Sequence, residues 1–418
     1  MQQKLKRSLG LLEVTFYGVG VIVGAGIYAL IGKAAGLAGN MVWAAFGIGA
    51  LIAAFTGLSY AELSSMFPKA GGEYVYLEHA FSRRLAFLIG WLIVFGGVVT
   101  AAAVALGFSG YFSAIFHTPL IPIALALIVL LSLINFWGIR ESAIANMIAT
   151  IVELAGLALV IVFGLKYFGS VDYLALPSFG FTGVMSATAL IFFAYLGFED
   201  IVRLSEETKN PKRTIPMALV LSIIISTILY ISVAIAAVSV VGWEKLAASD
   251  APLALVAQSA FGAKAFFVLA VIALFATLNT VLVTLVATSR MLYGMADEHG
   301  LPKIFCSVHD RLCTPWFSII VTGGAALVFT LIGKIEIVAS LVDFALFVTF
   351  ALVNAALIWL RHKLPKMQRP FKTWAPLAWL GVIFSLGMLF YLDKLIIAGG
   401  VAMVVAGLLV YEAIKKRV

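Results

Sequence analysis

Residues 11–32 read LLEVTFYGVGVIVGAGIYALIG, and this stretch decides the fold. Apart from Glu13 it carries no charge, and it is long enough for a helix to cross the roughly 30 Å hydrocarbon core of a bilayer. It also crowds Gly18, Gly20, Gly24, Gly26 and Gly32 into one span, although each interior glycine costs about 1 kcal/mol relative to alanine. Three readings compete. A dinucleotide fingerprint needs a strand before it and a soluble unit after it, and the flanks offer neither. Gly20 and Gly24 form a GxxxG pair that would let another helix approach closely. The third reading is a helix opened around Val23, Gly24, Ala25 and Gly26. Opening frees N–H groups at the start of the outer half, which suit a carboxylate, and carbonyls at the end of the inner half, which suit an ammonium group or a cation. Such backbone is tolerated in a membrane only where it lines a cavity.

The rest of the chain supports a membrane setting. Of 418 residues 63% are hydrophobic and 11% charged, less than half the charge of a soluble domain, and the mean hydropathy is +1.10. Apolar runs fall at roughly 11–36, 40–66, 85–115, 121–138, 143–165, 183–202, 214–242, 264–289, 316–333, 337–360, 375–391 and 395–413, which predicts twelve transmembrane helices. The basic, polar start MQQKLKRSLG predicts no cleavable leader. Cys306 and Cys313 are too few for a disulfide framework or a metal site and read as thiols.

With the N-terminus in the cytoplasm, 22 of the 28 Lys and Arg residues fall on inner segments. Only Lys33, Lys166, Lys245, Lys264, Lys334 and Lys394 fall outside. That asymmetry is the positive-inside rule and places both termini in the cytoplasm. The net charge of +8 is then a topology signal and an attraction to anionic lipid, with no nucleic acid implied. His79, His117, His299, His309 and His362 lie in or beside loops without ligand spacing, so no metal site is expected. No motif for a cofactor or a P-loop ATPase is present, so energy would come from a gradient or from exchange.

The sixth span, residues 186–207, reads SATALIFFAYLGFEDIVRLSEE. Gly197, Glu199 and Asp200 interrupt it. Intramembrane charge is expensive and normally functional, although the two acids also suit an interface that begins early. The sixth span comes five after the first, an odd offset, so a second set of five would enter from the opposite face. Interrupted helices at corresponding places of inverted halves are the best sequence pointer to a transporter site.

GVGVIVGAGIY (18–28), YAELSSMFPKAGGEYVYLEHAF (60–81), IFFAYLGFED (191–200) followed by SEETKNPKRTIPMAL (205–219), and SRMLYGMADEHGLPKIF (289–305) stand in order along the chain. They resemble the amino acid–polyamine–organocation superfamily, and most closely its prokaryotic amino-acid permeases. The resemblance implies an all-α polytopic membrane protein with a five-plus-five inverted repeat. It implies a core over 1–362 (repeats about 8–167 and 180–362) and two further helices with a tail over 373–418. It also implies that the substrate carboxylate sits on the backbone of Gly24, Ala25 and Gly26. The ammonium would meet carbonyls near Ile22, Phe193, Ala194 and Leu196, with Phe193 and Tyr195 sorting side chains.

The fifth span departs from the family pattern. From Ser142 to Leu165 its only ionisable residue is Glu153, about 12 residues from either end and so near the bilayer midplane. Asn146, Thr150 and Glu153 share one helical face. Many proton-coupled relatives look to carry a lysine there. Three roles stay open for Glu153: a proton carrier, a permanently protonated hydrogen-bonder, and a Na⁺ ligand. Thr277, Thr280, Thr284 and Thr288 form a stripe on the eighth span. Those hydroxyls either bond their own helix or, at Thr277 and Thr280, face the site as coupling or gate residues together with Glu199. Glu13, Glu62 and Arg203 read as pairing residues of an inner gate. Residues 241–262 resemble an outer lid.

These observations predict a secondary amino-acid transporter of the cytoplasmic membrane, proton-coupled and working by alternating access, with no enzymatic activity. An exchanger, or the same fold with a polyamine, nucleobase or other organocation as cargo, is the alternative.

Overall fold

The computed structural model describes residues 9–68, 72–137, 142–297, 301–310, 312 and 314–415. Lys69, Arg140, His299, Arg311 and Cys313, the terminal basic residues and the Asn146 side chain lie outside the described residues. The regular structure of those described is helical, joined by short irregular connections, apart from one isolated bridge between Leu9 and Thr208. In chain order the helices are α1 (Leu11–Ile22), α2 (Ala25–Ala38), α3 (Val42–Met66), α4 (Gly72–Ala80), α5 (Arg83–Phe116), α6 (Leu120–Trp137), α7 (Ser142–Gly164) and α8 (Gly180–Ile191). They continue as α9 (Pro211–Val241), α10 (Trp243–Ala247), α11 (Pro252–Phe261), α12 (Ala263–Asp297), α13 (Trp316–Thr330), α14 (Ile335–Lys363), α15 (Ala375–Met388) and α16 (Lys394–Lys415).

Every apolar run of the sequence coincides with a helix or a pair of helices. Among the described residues nine helical segments are long and apolar enough to cross a membrane. α13, with 15 residues, is about 22 Å long and so short for that purpose. α12 runs eight residues past the expected end at 289, because charge ends a hydrophobic run without ending a helix. The expected lid folds into α10 and α11, which lie against α2, with Leu246, Leu253, Ala254, Val256 and Ala257 buried.

Packing follows from side-chain size. α5 lies against α12 and α14, α3 against α9, α1 against α9, and α2 against α8. Their facing sides are rich in Gly, Ala and Ser, which lets backbones approach in a medium where apolar burial alone gives helices no preference for one another. Large apolar side chains on α6, α13, α15 and α16 point outward, among them Leu130, Val328, Ile383 and Leu409. On a soluble protein such a surface would be an association site; here it is the face for lipid.

Polar groups tie the bundle at one end. The Glu62 carboxylate on α3 is fully buried and accepts from Arg361 Nε of α14 at 2.9 Å and from the Thr373 N–H at 2.8 Å, with Arg361 Nη2 on its second oxygen. Glu62 thus pairs with α14 and the segment before α15, not with Arg203. Glu13 returns to the Gly10 N–H at 2.9 Å. Removing one partner of a buried ion pair leaves an uncompensated charge. Glu62→Ala should therefore lower unfolding free energy by about 3 kcal/mol, read as a lower thermal-unfolding midpoint in detergent, with Glu62→Gln milder.

Candidate substrate-binding site

The first span stops being helical where its glycines suggested. The Val23 N–H closes the last turn of α1 on Val19 O at 2.8 Å, Gly24 turns the chain (φ −52°, ψ −155°), and α2 starts at Ala25. The sixth span breaks more gradually. α8 ends at Ile191, a 3-10 turn runs through Phe192–Tyr195, and a second 3-10 stretch covers Phe198–Glu206. Between them Gly197 takes φ +112°, which side-chain-bearing residues avoid, and a Cβ there would stand 3.1 Å from the Val21 carbonyl. At the other crossing a Cβ on Gly26 would meet Ala194 Cα at 2.7 Å. The two broken stretches therefore touch backbone to backbone.

A cavity of about 190 Å³ opens at this crossing. From the first span it is lined by Ile22, Gly24, Ala25 and Gly26, and from the sixth by Phe193, Leu196, Gly197 and Glu199. Leu92, Ile93, Val283, Val342, Leu346 and Phe350 make its apolar walls. The start of α2 points its N–H groups and the positive end of its dipole into this region. The Ala25 N–H reaches Thr280 Oγ1 on α12 at 3.3 Å, and that hydroxyl also donates to Ala276 O at 3.0 Å.

On the carbonyl side stands Tyr230 of α9, which is fully buried. Its hydroxyl lies 2.6 Å from Ile22 O and 2.7 Å from Ala194 O, the last carbonyl of α1 and one in the sixth span's turn. A phenol has one proton, so it donates to one of these carbonyls at a time. Tyr195 turns away from the cavity. Its hydroxyl donates to Phe46 O at 2.9 Å, because a buried phenol seeks an acceptor, and its ring packs edge-on to Tyr230. Of the predicted binding residues the cavity thus brings together Ile22, Gly24, Ala25, Gly26, Phe193 and Leu196. Ala194 and Tyr195 support the turn from behind.

Glu153 lines the same cavity at 1% exposure. Its side chain hydrogen-bonds Asn279 of α12, its second oxygen Oε1 has no partner among the described residues, and its backbone carbonyl accepts from the Tyr28 hydroxyl at 2.7 Å. Thr280 and Thr284 also line the cavity. Thr277 does not, and donates within its own helix to Ala273 O and Leu274 O. Glu199 folds back so that its carboxylate accepts from the Gly197 N–H at 2.9 Å.

Tyr17, Tyr60, Glu73, Asp200 and Arg203 close the α1 end of the cavity. Arg203 pairs with Asp200 at 2.8 Å, and the Tyr60 hydroxyl donates to Glu73 Oε1 at 3.1 Å. Burial pushes the Glu73 carboxyl above the usual carboxylate range, against the pull of the Arg203 guanidinium. Sequence reasoning missed Asn279, Tyr230 and Glu73. The first two are single residues inside apolar spans whose partners are remote in sequence.

A bundle of long apolar helices around two broken ones is the architecture of a membrane carrier, and comparison with known sequences agrees. The profile of the amino acid permease family matches residues 9–405, and the chain belongs to that family. It is 30% identical to the branched-chain amino acid permease BcaP of Bacillus subtilis, over all of this chain and 94% of that one. It is 29% identical to the methylthioribose transporter of the same organism, over 88% of this chain and 84% of that protein. It is also 29% identical to human cationic amino acid transporter 4, over 87% of this chain and 61% of that longer one.

Two substitutions test the geometry. Gly26→Ala should abolish ligand-induced thermal stabilisation, because its methyl must displace the Ala194 backbone. Tyr230→Phe strips the shared donor from two buried carbonyls and should lower stability by about 1–3 kcal/mol, seen in detergent unfolding.

Proposed function

We propose that this chain carries amino acids across the cytoplasmic membrane by alternating access, coupled to protons. The observation that carries the reading is the pair of facing helix breaks, which offers N–H groups at Gly24, Ala25 and Gly26 on one side. On the other side it offers the carbonyls of Ile22, Phe193 and Leu196. That arrangement suits the two ends of a zwitterion, and family membership and the amino-acid names of relatives support the same cargo. Apolar walls favour a neutral side chain.

Twelve spans in a five-plus-five inverted arrangement fit the packing. If the first span corresponds to the sixth and the second to the seventh, α1 on α9 is the counterpart of α8 on α3, and both contacts occur. The contact of α5 with α14 is likewise matched by that of α12 with α7. Positive-inside asymmetry supports both termini lying in the cytoplasm.

For coupling, Glu153 is the candidate. Its one partnerless oxygen faces a cavity bounded by α1 and α12, where the arrival or loss of a proton alters the contact with Asn279 and, through it, the stability of the break. The test is uptake into proteoliposomes of a panel of L-amino acids, with methylthioribose and a polyamine as controls, under imposed pH or Na⁺ gradients. Accumulation of neutral amino acids driven by the pH gradient is expected. Uptake of only the non-amino-acid controls would overturn the cargo. Glu153→Gln should lose gradient-driven accumulation while keeping exchange, and unchanged proton dependence would remove Glu153 from coupling.

A further inference from the structure

A second pocket of about 610 Å³ opens at the end of the bundle away from Arg203 and Glu62, which is the outer end on the positive-inside assignment. It is lined by Lys33 of α2, Leu190 of α8, Glu336 and Ser340 of α14, and Asp393. Lys33 and Glu336 form a half-exposed ion pair at 3.3 Å. No residue lines both this vestibule and the central cavity. The layer between them is closed by Ile27 and Tyr28 of α2, Ile191 and Phe192 of the sixth span, and the middle of α14, with the rings of Phe192 and Phe347 tilted against each other at 4.8 Å.

Asp343 is embedded in this layer. It is fully buried, and neither carboxylate oxygen has a hydrogen-bond partner among the described residues. On α14 it shares a face with Ser340, three residues before it in the vestibule, and Leu346, three residues after it in the central cavity, whose wall also includes the preceding residue Val342. Each three-residue step is about 4.5 Å along the helix. Asp343 therefore stands between two cavities, about one helical turn from each opening, and lines neither.

Neighbouring elements offer it no charge. α8 and α15 have no titratable side chain. α2 brings Tyr28, which donates to Glu153 O, and Lys33, paired with Glu336. α5 brings Tyr111, which donates to Tyr28 O, and the 192–195 turn brings Tyr195, which donates to Phe46 O. Lys394 of α16 lies toward the vestibule end. Tyr60 and Glu62 of α3, Glu73 and Tyr76 of α4 and the remaining charges of α5, α14 and α16 lie toward the opposite end. An uncompensated carboxylate in a dry layer is too costly to keep, so the closed arrangement holds the neutral acid.

We propose that Asp343 is a proton-binding site that latches the layer between vestibule and central cavity. The layer seals over the protonated acid, and loss of the proton draws in water and opens the path from the vestibule. This rests on the alternating-access reading but is separate from Glu153, which lies in the cavity itself. A proton taken from the outer side would be the condition for resealing.

The test is labelling by a membrane-impermeant maleimide in intact cells, with Cys306 and Cys313 replaced by serine. Leu346→Cys reports the cavity wall beyond the layer, and Ser340→Cys in the vestibule corrects for thiol reactivity. Raising external pH should increase the Leu346→Cys to Ser340→Cys ratio by about tenfold per unit through the titration of one group. In Asp343→Asn the ratio should be low and flat, and Asp343→Glu should restore the dependence. A ratio that still rises with pH in Asp343→Asn overturns the latch. If that variant does not insert, Asp343→Glu decides alone, a flat ratio counting against the proposal. A Leu346→Cys unreactive from both faces of the membrane, tested again in inverted vesicles, would overturn alternating access and the latch together.

Discussion

A backbone polar group in hydrocarbon has no water to turn to, and this constraint organises the molecule. Elsewhere the helices meet it internally. At Val23–Gly24 and Leu196–Gly197 they do not, and the groups set loose there must be satisfied by other parts of the bundle. Thr280 of α12, Tyr230 of α9 and the Glu199 carboxylate each take one of these ends. The helices that supply them are the ones packed on the broken spans, so the positions of α9 and α12 follow from what the breaks require.

The same constraint explains why glycine and small side chains recur where they do. Gly26 and Gly197 let the two opened stretches touch, which brings the start of α2 and the turn of the sixth span to opposite sides of one small cavity. Around it the walls are aliphatic and aromatic, with polar chemistry confined to main chain, Glu153 with Asn279, and the α1 end. On the proposed reading, such a surface would fix the backbone of its occupant and leave the rest to shape.

Much of this was legible in the sequence, for identifiable reasons. Helix lengths followed from apolar runs, and the breaks from glycines crowded at 18–32 and acids inside 186–207, because both signals are local. Glu153 stood out as a lone charge. Asp343 carries the same signal, but it lies only six residues from the start of its run at 337 and passes for an interfacial acid. Tyr230 was illegible because a tyrosine in a long apolar helix looks like core, and its meaning lies in two carbonyls remote from it in sequence. Tyr195 shows the reverse: a motif position next to the break whose side chain is drawn backward by the Phe46 carbonyl.

The hydroxyl of Tyr230 has one hydrogen and two oxygens asking for it, so one of the carbonyls of Ile22 and Ala194 is always in want of a donor. An occupant bearing several N–H bonds can supply what is missing, whereas one that offers only lone pairs adds to the shortage. On the proposed amino-acid reading, that count of hydrogens favours a cargo bearing an amine over a carboxylic acid without one, before any side chain is consulted.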